Sequence, residues 1–265
     1  MKIAIIGAGN LGISIAKGVL HSNGATTMHL TKRNPDSIRH FENYGNVTIS
    51  SDNSQAVKQS DVLIFAVQPG HFADILEEVK DLLTDKHVII STITGFSIQK
   101  MEAILGSDKY IIRSMPNTAI SVGKSMTCIC CNEQGKKRID LATAIFNRMG
   151  HCMEIPEELM QAATVICASG IAFWMRLIRA TTQGAIQLGF DATEAQELAV
   201  HTCNGAAGLL IESGNHPEEE IDKVTTPMGC TIQGLNEMEH QGLSSSLIRG
   251  IVTSYEKISE FKLMN

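Results

Sequence analysis

A chain of 265 residues can bury one large core or two modest ones, and two domains are the better expectation here. Hydrophobic residues make up 43% of it and mean hydropathy is +0.04, as in soluble globular proteins. A net charge of -6 with no basic cluster argues against a nucleic-acid surface, so the expected partner is a small molecule.

Residues 2–6 are a short apolar run predicted as a strand, followed by Gly7-Ala8-Gly9-Asn10-Leu11-Gly12 and then helix-compatible spacing from Ile13. Strand, G-x-G-x-x-G and helix in this order let a dinucleotide pyrophosphate approach the backbone at a helix start; a merely tight strand-to-helix turn is the alternative. The next strand, 27–31, ends in Lys32-Arg33-Asn34-Pro35 instead of an acidic residue. Two adjacent cations suit a ribose 2′-phosphate, which favours NADPH and leaves NADH possible, unless they are ordinary surface charges.

Residues 61–67 read as a buried parallel strand, and Gln68-Pro69-Gly70 ends it where a ligand would pass the carboxyl edge of the sheet. Ala66, Val67, Gln68 and Pro69 therefore join the cofactor candidates, with Asn53 completing the set on that side. Phe72, Ile75, Leu76, Val79, Leu82 and Leu83 repeat at helical spacing, the apolar face of a helix packed on the sheet. A strand over 87–92 brings Thr94 to the same edge, and a helix over 98–105 follows. The strand 110–112 then leads into Arg113-Ser114-Met115-Pro116-Asn117-Thr118, where Pro116 fixes the backbone and Asn117 offers both donor and acceptor. Strands at 126–131 and 152–155, separated by a helix over 136–149, complete a doubly wound pattern.

After Pro156 the alternation stops and only helices are predicted. The expected plan is an α/β dinucleotide-binding domain, residues 1–156, with a mostly parallel sheet, and an all-α domain, residues 157–265. Residues 159–188 are apolar on most faces, as in a helix buried among others or across a subunit interface. Gly189 supplies a stop, Thr193 with Gln196 a capping box, Gly214 another stop and Pro217 a new start. The segment 223–234 crowds hydroxyls, a proline and a glycine before a helical pattern, so several donors could converge on a carboxylate; a capped surface turn is the alternative.

That last segment resembles the Ser/Thr-Pro-Gly-Gly-Thr/Ala-Thr signature of pyrroline-5-carboxylate reductases, matching at Val224, Thr226, Pro227, Gly229 and Thr231. Residues 113–118 resemble the family's Arg-x-Met-Pro-Asn-Thr, and Ala168-Ser169-Gly170-Ile171-Ala172-Phe173 resembles its Gly-Ser-Gly-Pro-Ala-Tyr. The motifs stand in family order over nearly the whole chain. Met228 and Gln68 depart from the pattern, replacing a glycine and a lysine.

The resemblance implies a Rossmann domain followed by a helical dimerisation domain, in a homodimer or a larger homo-oligomer built from dimers. It implies hydride transfer from NADPH to the C=N bond of L-1-pyrroline-5-carboxylate, giving L-proline. Backbone N–H groups of Gly229, Cys230 and Thr231 would hold the carboxylate, with Val224, Thr226, Asn117 and Glu157 also at the substrate. The Thr231 hydroxyl is the candidate catalytic group at the ring nitrogen, and Met115, Pro116 and Asn117 would border the nicotinamide. If the family glycine supplies a positive φ, Met228 costs about 1–2 kcal/mol; if it supplies room, Met228 narrows the pocket.

A β-hydroxyacid dehydrogenase would need a lysine on the long helix, and none occurs between Arg138 and Lys223. The readings left beside the reductase are a non-catalytic NADPH-binding sensor and a reductase of a related cyclic imine. The amino terminus lacks a leader pattern and no segment reaches the roughly 18 apolar residues of a membrane span, so a cytoplasmic protein away from membranes is expected. The seven cysteines show no second ligand pair beside Cys128-Ile129-Cys130-Cys131, so reduced structural thiols and no metal are expected.

Overall fold

The computed structural model describes residues 1–264, with side chains through residue 258. It contains two compact units, Met1–Ser169 and Gly170–Glu256.

The first unit is built on an eight-stranded sheet. Its elements are β1 (Lys2–Ile6), α1 (Asn10–His21), β2 (Thr27–Thr31), β3 (Val47–Ser50), α2 (Asn53–Lys58), β4 (Val62–Phe65) and α3 (Pro69–Val79). They continue with β5 (Val88–Ser91), α4 (Ile98–Leu105), β6 (Tyr110–Met115), β7 (Ser125–Cys131), α5 (Ile139–Asn147) and β8 (Gly150–Glu154). The strand order is β3-β2-β1-β4-β5-β6-β7-β8, and all neighbours are parallel except β6 with β7. The link from Met115 to Ser125 is too short for the crossover that a parallel pair requires, so the chain turns back instead.

Alternation along β1 splits the core in two. Ile3 and Ile5 face one fully buried cluster with Ile15, Val19, Leu30 and Phe146, while Ala4 and Ile6 face another with Phe65, Phe72 and Leu76. Both faces are covered, which is why the central strands read as continuous apolar runs.

Helix α4 matches the expected 98–105. The helix expected through Leu83 instead ends at Val79 and tightens into a 3-10 turn, Lys80–Leu82. Strand β3, a short run with alternating polar residues, and α2, capped by Asp52 accepting from the Gln55 N–H, are additional to the elements read from the sequence. Strand β6 runs through Met115, so Arg113 and Met115 are strand residues and not part of a loop.

The chain turns helical at Glu157, yet residues 157–169 belong to the sheet unit. A 3-10 turn leads into α6 (Met160–Ala163), and a π-helical stretch, Thr164–Ser169, follows. Met160 and Ala163 are buried in the second core cluster, which explains why the compact unit extends past Pro156.

The second unit holds α7 (Gly170–Gln187), α8 (Ala192–Ser213), α9 (Pro217–Val224) and α10 (Cys230–His240), and α11 (Leu243–Met264) begins in it. Gly189 and Gly214 take positive φ at the ends of α7 and α8, and Pro217 opens α9, as the sequence suggests. The cap of α8 is Asp191, whose carboxylate accepts from the Thr193 and Glu194 N–H groups, and not the expected Thr193. Trp174, Met175, Leu188, Ile211 and Ile248 are all exposed. Contrary to the expectation that no segment reaches that length, one run among the described residues, Glu157–Gln187, is long and apolar enough to cross a membrane by length and composition.

Candidate cofactor and substrate sites

In the sheet unit, strand order reverses at β1, and the crevice beyond its carboxyl end is where open α/β sheets bind ligands. A cavity of about 650 Å³ lies there. Gly7, Ala8 and Gly9 line it together with Lys32, Arg33 and Asn34 from the end of β2 and Ala66, Val67 and Gln68 from the end of β4.

Two glycines are required by space. Gly7 has φ +99, and a Cβ there would strike the Val67 side chain and the Ala66 carbonyl; one at Gly12 would strike the Gly7 carbonyl oxygen. The loop thus lies tightly between β4 and α1. No side chain caps α1, so its first-turn N–H groups are left for an anion.

On the side of the cavity that holds Thr31 and Asn53, Thr31 donates its hydroxyl to Asn53 Oδ1 at 2.8 Å, and Asn53 Nδ2 donates to Glu78 Oε2 at 3.3 Å. Lys32 Nζ donates to Ser37 Oγ at 2.8 Å, which fixes the ammonium on that wall, while Asn34 Oδ1 accepts from the Asp36 N–H and shapes the following 3-10 turn. Thr31, His71, Asp74, Ile75 and Glu78 also line the cavity and were missed in the sequence reading. Four of them fall at i, i+3, i+4 and i+7 on α3, a face that helical spacing could have revealed beside the apolar one.

The remaining cofactor candidates do not line this cavity. Asn10 and Leu11 sit in the first turn of α1, and Gly12 is buried beneath the loop as a packing residue. Pro69 opens α3 at its N1 position, and Thr94 lies beyond the end of β5. Met115 and Pro116 are buried where β6 ends.

Two expected substrate residues are held by the fold. The Asn117 Oδ1 accepts from the Ala119 N–H at 2.9 Å, and its Nδ2 donates to the Cys167 carbonyl at 2.9 Å. Its amide therefore latches the π-helical stretch to the end of β6, where the sequence suggested a group free to hold a ring. The Glu157 Oε1 accepts from Arg113 Nη1 at 2.7 Å and from the Ile98 N–H at 2.8 Å. Through Oε1 that carboxylate ties β6, the start of α4 and the start of the helical stretch together.

The cysteines of this unit are spread over β7, β8 and the π-helical stretch. Burial pushes the Cys130 thiol up to about 12 and the Cys152 thiol up to about 11, so both are protonated at neutral pH. No group of three or more His, Cys, Asp or Glu side chains suited to a metal ion occurs among the described residues.

In the helical unit, Thr226, Pro227, Met228 and Gly229 form a turn closed by the Gly229 N–H donating to the Thr226 carbonyl at 2.9 Å. Proline at the second position and φ +58 at Met228 in the third give the type II pattern. The family glycine is thus replaced at a position of positive φ. Met228 is 92% exposed, so its side chain is not packed over a pocket within this unit.

The turn delivers the chain to the start of α10. Gly229 is its N-cap and Cys230 and Thr231 its first residues, with no side-chain cap. The Gly229 N–H is spent on the turn, so it leaves the expected carboxylate donor set. The N–H groups of Cys230 and Thr231 have no carbonyl four residues back within the helix and point outward from its start. Among the described residues the Thr231 hydroxyl makes no intramolecular hydrogen bond. Thr225 donates to the Asp222 carbonyl and closes α9, while Val224 and Thr226 are exposed.

A doubly wound sheet with a glycine loop and a cationic ribose wall, in a chain that also carries a helical unit with an uncapped, hydroxyl-bearing helix start, defines the class of two-unit nicotinamide-dependent oxidoreductases. Residues 157–261 match the family model for pyrroline-5-carboxylate reductase dimerisation, and residues 2–95 match that for NADP oxidoreductase, coenzyme F420-dependent. The chain is 41% identical over 276 residues to pyrroline-5-carboxylate reductase 2 of Dictyostelium discoideum, covering 98% of this chain and 92% of that one. It is 42% identical over 269 residues to pyrroline-5-carboxylate reductase 1 of the same organism, covering 96% of this chain and 49% of that relative, about half its length. Its fold is like that of Plasmodium falciparum pyrroline carboxylate reductase, solved with NADP bound, at a TM-score of 0.89, 23% identity and coverage of 99% and 98%. The chain belongs to the pyrroline-5-carboxylate reductase family.

Proposed function

We propose that this chain reduces L-1-pyrroline-5-carboxylate to L-proline with NADPH. The observation that carries the reading is family membership over 98% of the chain together with a helix start whose Cys230 and Thr231 N–H groups and Thr231 hydroxyl are available. NADPH fits the sheet unit: the Gly7 and Gly12 cradle would be filled by any Cβ, and Lys32 and Arg33 stand on the wall where a 2′-phosphate would lie. When bound, it supplies a hydride.

The chain's own residues orient and hold protons. The Cys230 and Thr231 N–H groups, at the positive end of α10, take the substrate carboxylate. The Thr231 hydroxyl hydrogen-bonds the ring nitrogen and holds its proton in place. A protonated ring imine is already electrophilic, so no strong acid is needed, and positioning alone is worth roughly 7–11 kcal/mol in favourable systems. Thr31, Asn53 and Glu78 keep the ribose wall in one arrangement.

The exposed apolar residues of α7, α8 and α11 support a homodimer, the assembly for which the matched model of residues 157–261 is described. The same burial accounts for the apolar run Glu157–Gln187 without a membrane, in keeping with a cytoplasmic enzyme.

The test is the loss of NADPH absorbance by purified protein with and without pyrroline-5-carboxylate, with NADH in parallel. Substrate-dependent oxidation, faster with NADPH, is expected; none, despite measurable NADPH binding, overturns the reductase and leaves the sensor. Turnover of only a larger ring homologue would assign the related cyclic imine. In the Thr231→Ala variant, turnover should fall by the about 1.5–3 kcal/mol of a hydrogen bond to a charged group, roughly 10- to 100-fold, while NADPH affinity holds.

A further inference from the structure

Within the sheet unit two thiols meet that the reductase reading leaves unused. Cys128 Sγ and Cys167 Sγ lie 3.8 Å apart, one in the middle of β7 and the other in the π-helical stretch. Cys128 is buried at 4% exposure and Cys167 is half-buried, so Cys167 is the more exposed of the two. The two are 39 positions apart in sequence, so their meeting is a product of the fold.

Their surroundings link them to the edge of the sheet. Cys128 pairs across the antiparallel ladder with Met115, the last residue of β6. The Cys167 carbonyl accepts from Asn117, two residues further on. The same short stretch of chain is therefore held by one cysteine's strand and by the other's backbone. A π-helical turn is a rare departure from the regular helical ladder and is found most often at functional sites.

We propose that Cys128 and Cys167 are a redox modification site, in which a peroxide converts the pair to a reversible disulfide that clamps the π-helical stretch to β7. The half-buried Cys167 thiolate attacks a peroxide oxygen, breaking the O–O bond and giving a sulfenic acid and hydroxide, which takes up a proton to leave as water. Cys128 then attacks that sulfur; its proton leaves with the hydroxyl as a second water and the S–S bond forms. Two electrons pass from the thiols to the peroxide, and a dithiol reductant returns them. Attack is assigned to Cys167 because it is the more exposed of the two, and the hydrogen bond from Cys128, which lowers its thiol against burial, acts in the same direction. Through the Cys167 carbonyl and Asn117, and through the pairing of Cys128 with Met115, the clamp would bear on residues 115–117, expected beside the nicotinamide, so it would reduce turnover.

The experiment treats the full chain with hydrogen peroxide, blocks free thiols and maps the peptides by mass spectrometry without reduction. The expected result is a peptide pair joining Cys128 to Cys167, the loss of two blockable thiols per chain, and recovery of both with dithiothreitol. In Cys128→Ser the reaction should stop at Cys167 and be trapped by a sulfenic-acid probe; in Cys167→Ser, Cys128 should stay reduced. Linkage of Cys128 to Cys152 instead, or over-oxidation of Cys167 with Cys128 still a thiol, would overturn the site. These readouts need no substrate, so they stand or fall apart from the reductase assignment. If turnover exists, it should fall in step with disulfide formation and stay insensitive to peroxide in Cys167→Ser; unchanged turnover in fully oxidised protein would overturn the clamp.

Discussion

Two turns in this chain each deliver a helix start to a candidate anion, and they tolerate change very differently. The loop before α1 is fixed by packing: Gly7 has positive φ and also lies against Val67 and Ala66, and Gly12 lies against the Gly7 carbonyl. In the turn before α10 the packed glycine is Gly229, where a Cβ would strike Thr226, whereas the positive-φ residue, Met228, is 92% exposed and constrained by its backbone alone. A glycine pressed by its neighbours, as Gly7, Gly12 and Gly229 are, is costly to replace, whereas a position constrained only by φ can take a non-glycine residue for about 1–2 kcal/mol. That is why the glycine pattern is intact at one site and broken at the other.

The largest expected effect breaks the packed side. In Gly12→Ala the new methyl group meets the Gly7 carbonyl, so α1 must move away from the loop. Overpacking of this kind costs about 1–3 kcal/mol of stability, and NADPH affinity should fall by more than about tenfold, or about 1.4 kcal/mol, by titration. Gly9→Ala sharpens the contrast, because nothing lies within 4 Å of its Cβ. It should leave unfolding unchanged and weaken only cofactor binding; equal destabilisation by both would show that the loop is not held by local packing.

What the sequence made legible follows the same division. The run from β1 through the glycine loop to α1 was readable because strand period, close-approach glycines and helix period all coincide. Strand β3 and helix α2 were not, since each is only a few residues long and half polar. Asn117 and Glu157 were recognised as chemically capable groups, but their partners lie 50 and 44 positions away at Cys167 and Arg113, and no local pattern shows such pairings. The positive φ at Met228 was legible as one of two possibilities, and the turn geometry decides between them.

Arg113 tests the packed unit at a point away from the loop. Its side chain is 9% exposed and its charge is met by Glu157. Arg113→Ala strands a carboxylate that also accepts from the Ile98 N–H, and should cost about 2–3 kcal/mol in a denaturant titration, less than a fully buried pair because Glu157 is partly solvated. Glu157→Gln retains the acceptor for Ile98 and should cost less. A larger loss of turnover than of stability in Glu157→Gln would return that residue to the substrate.

A further contrast is pH sensitivity. His87 is buried, its Nδ1 accepting from the Thr84 N–H at 2.9 Å and its Nε2 donating to the Val57 carbonyl at 3.2 Å. Burial holds its pKa below the ordinary histidine value. Below about pH 6.5 the unfolded chain therefore binds more protons than the folded one, and stability is lost as pH falls. Thermal unfolding followed from about pH 7.5 to about pH 5.5 should show this slope, and His87→Gln should flatten it. An unchanged slope in the variant would place the sensitivity elsewhere, with buried His29 the next candidate.

The smallest expected effect lies at the turn itself. Met228→Gly removes the cost of a side chain at φ +58 but adds freedom to the unfolded chain, and the two terms nearly offset. With about 1–2 kcal/mol relieved and about 0.4–1 kcal/mol returned to the unfolded state, the folded chain should gain about 1 kcal/mol or less. Little burial is lost, since the methionine is exposed within its unit. The relaxed turn should present the Cys230 and Thr231 N–H groups more uniformly, so the KM for the imine should fall while NADPH affinity stays constant. Destabilisation, or a higher KM, would mean that the Met228 side chain makes a contact that outweighs its backbone strain, and position 228 would then be held by packing, as Gly7 and Gly12 are.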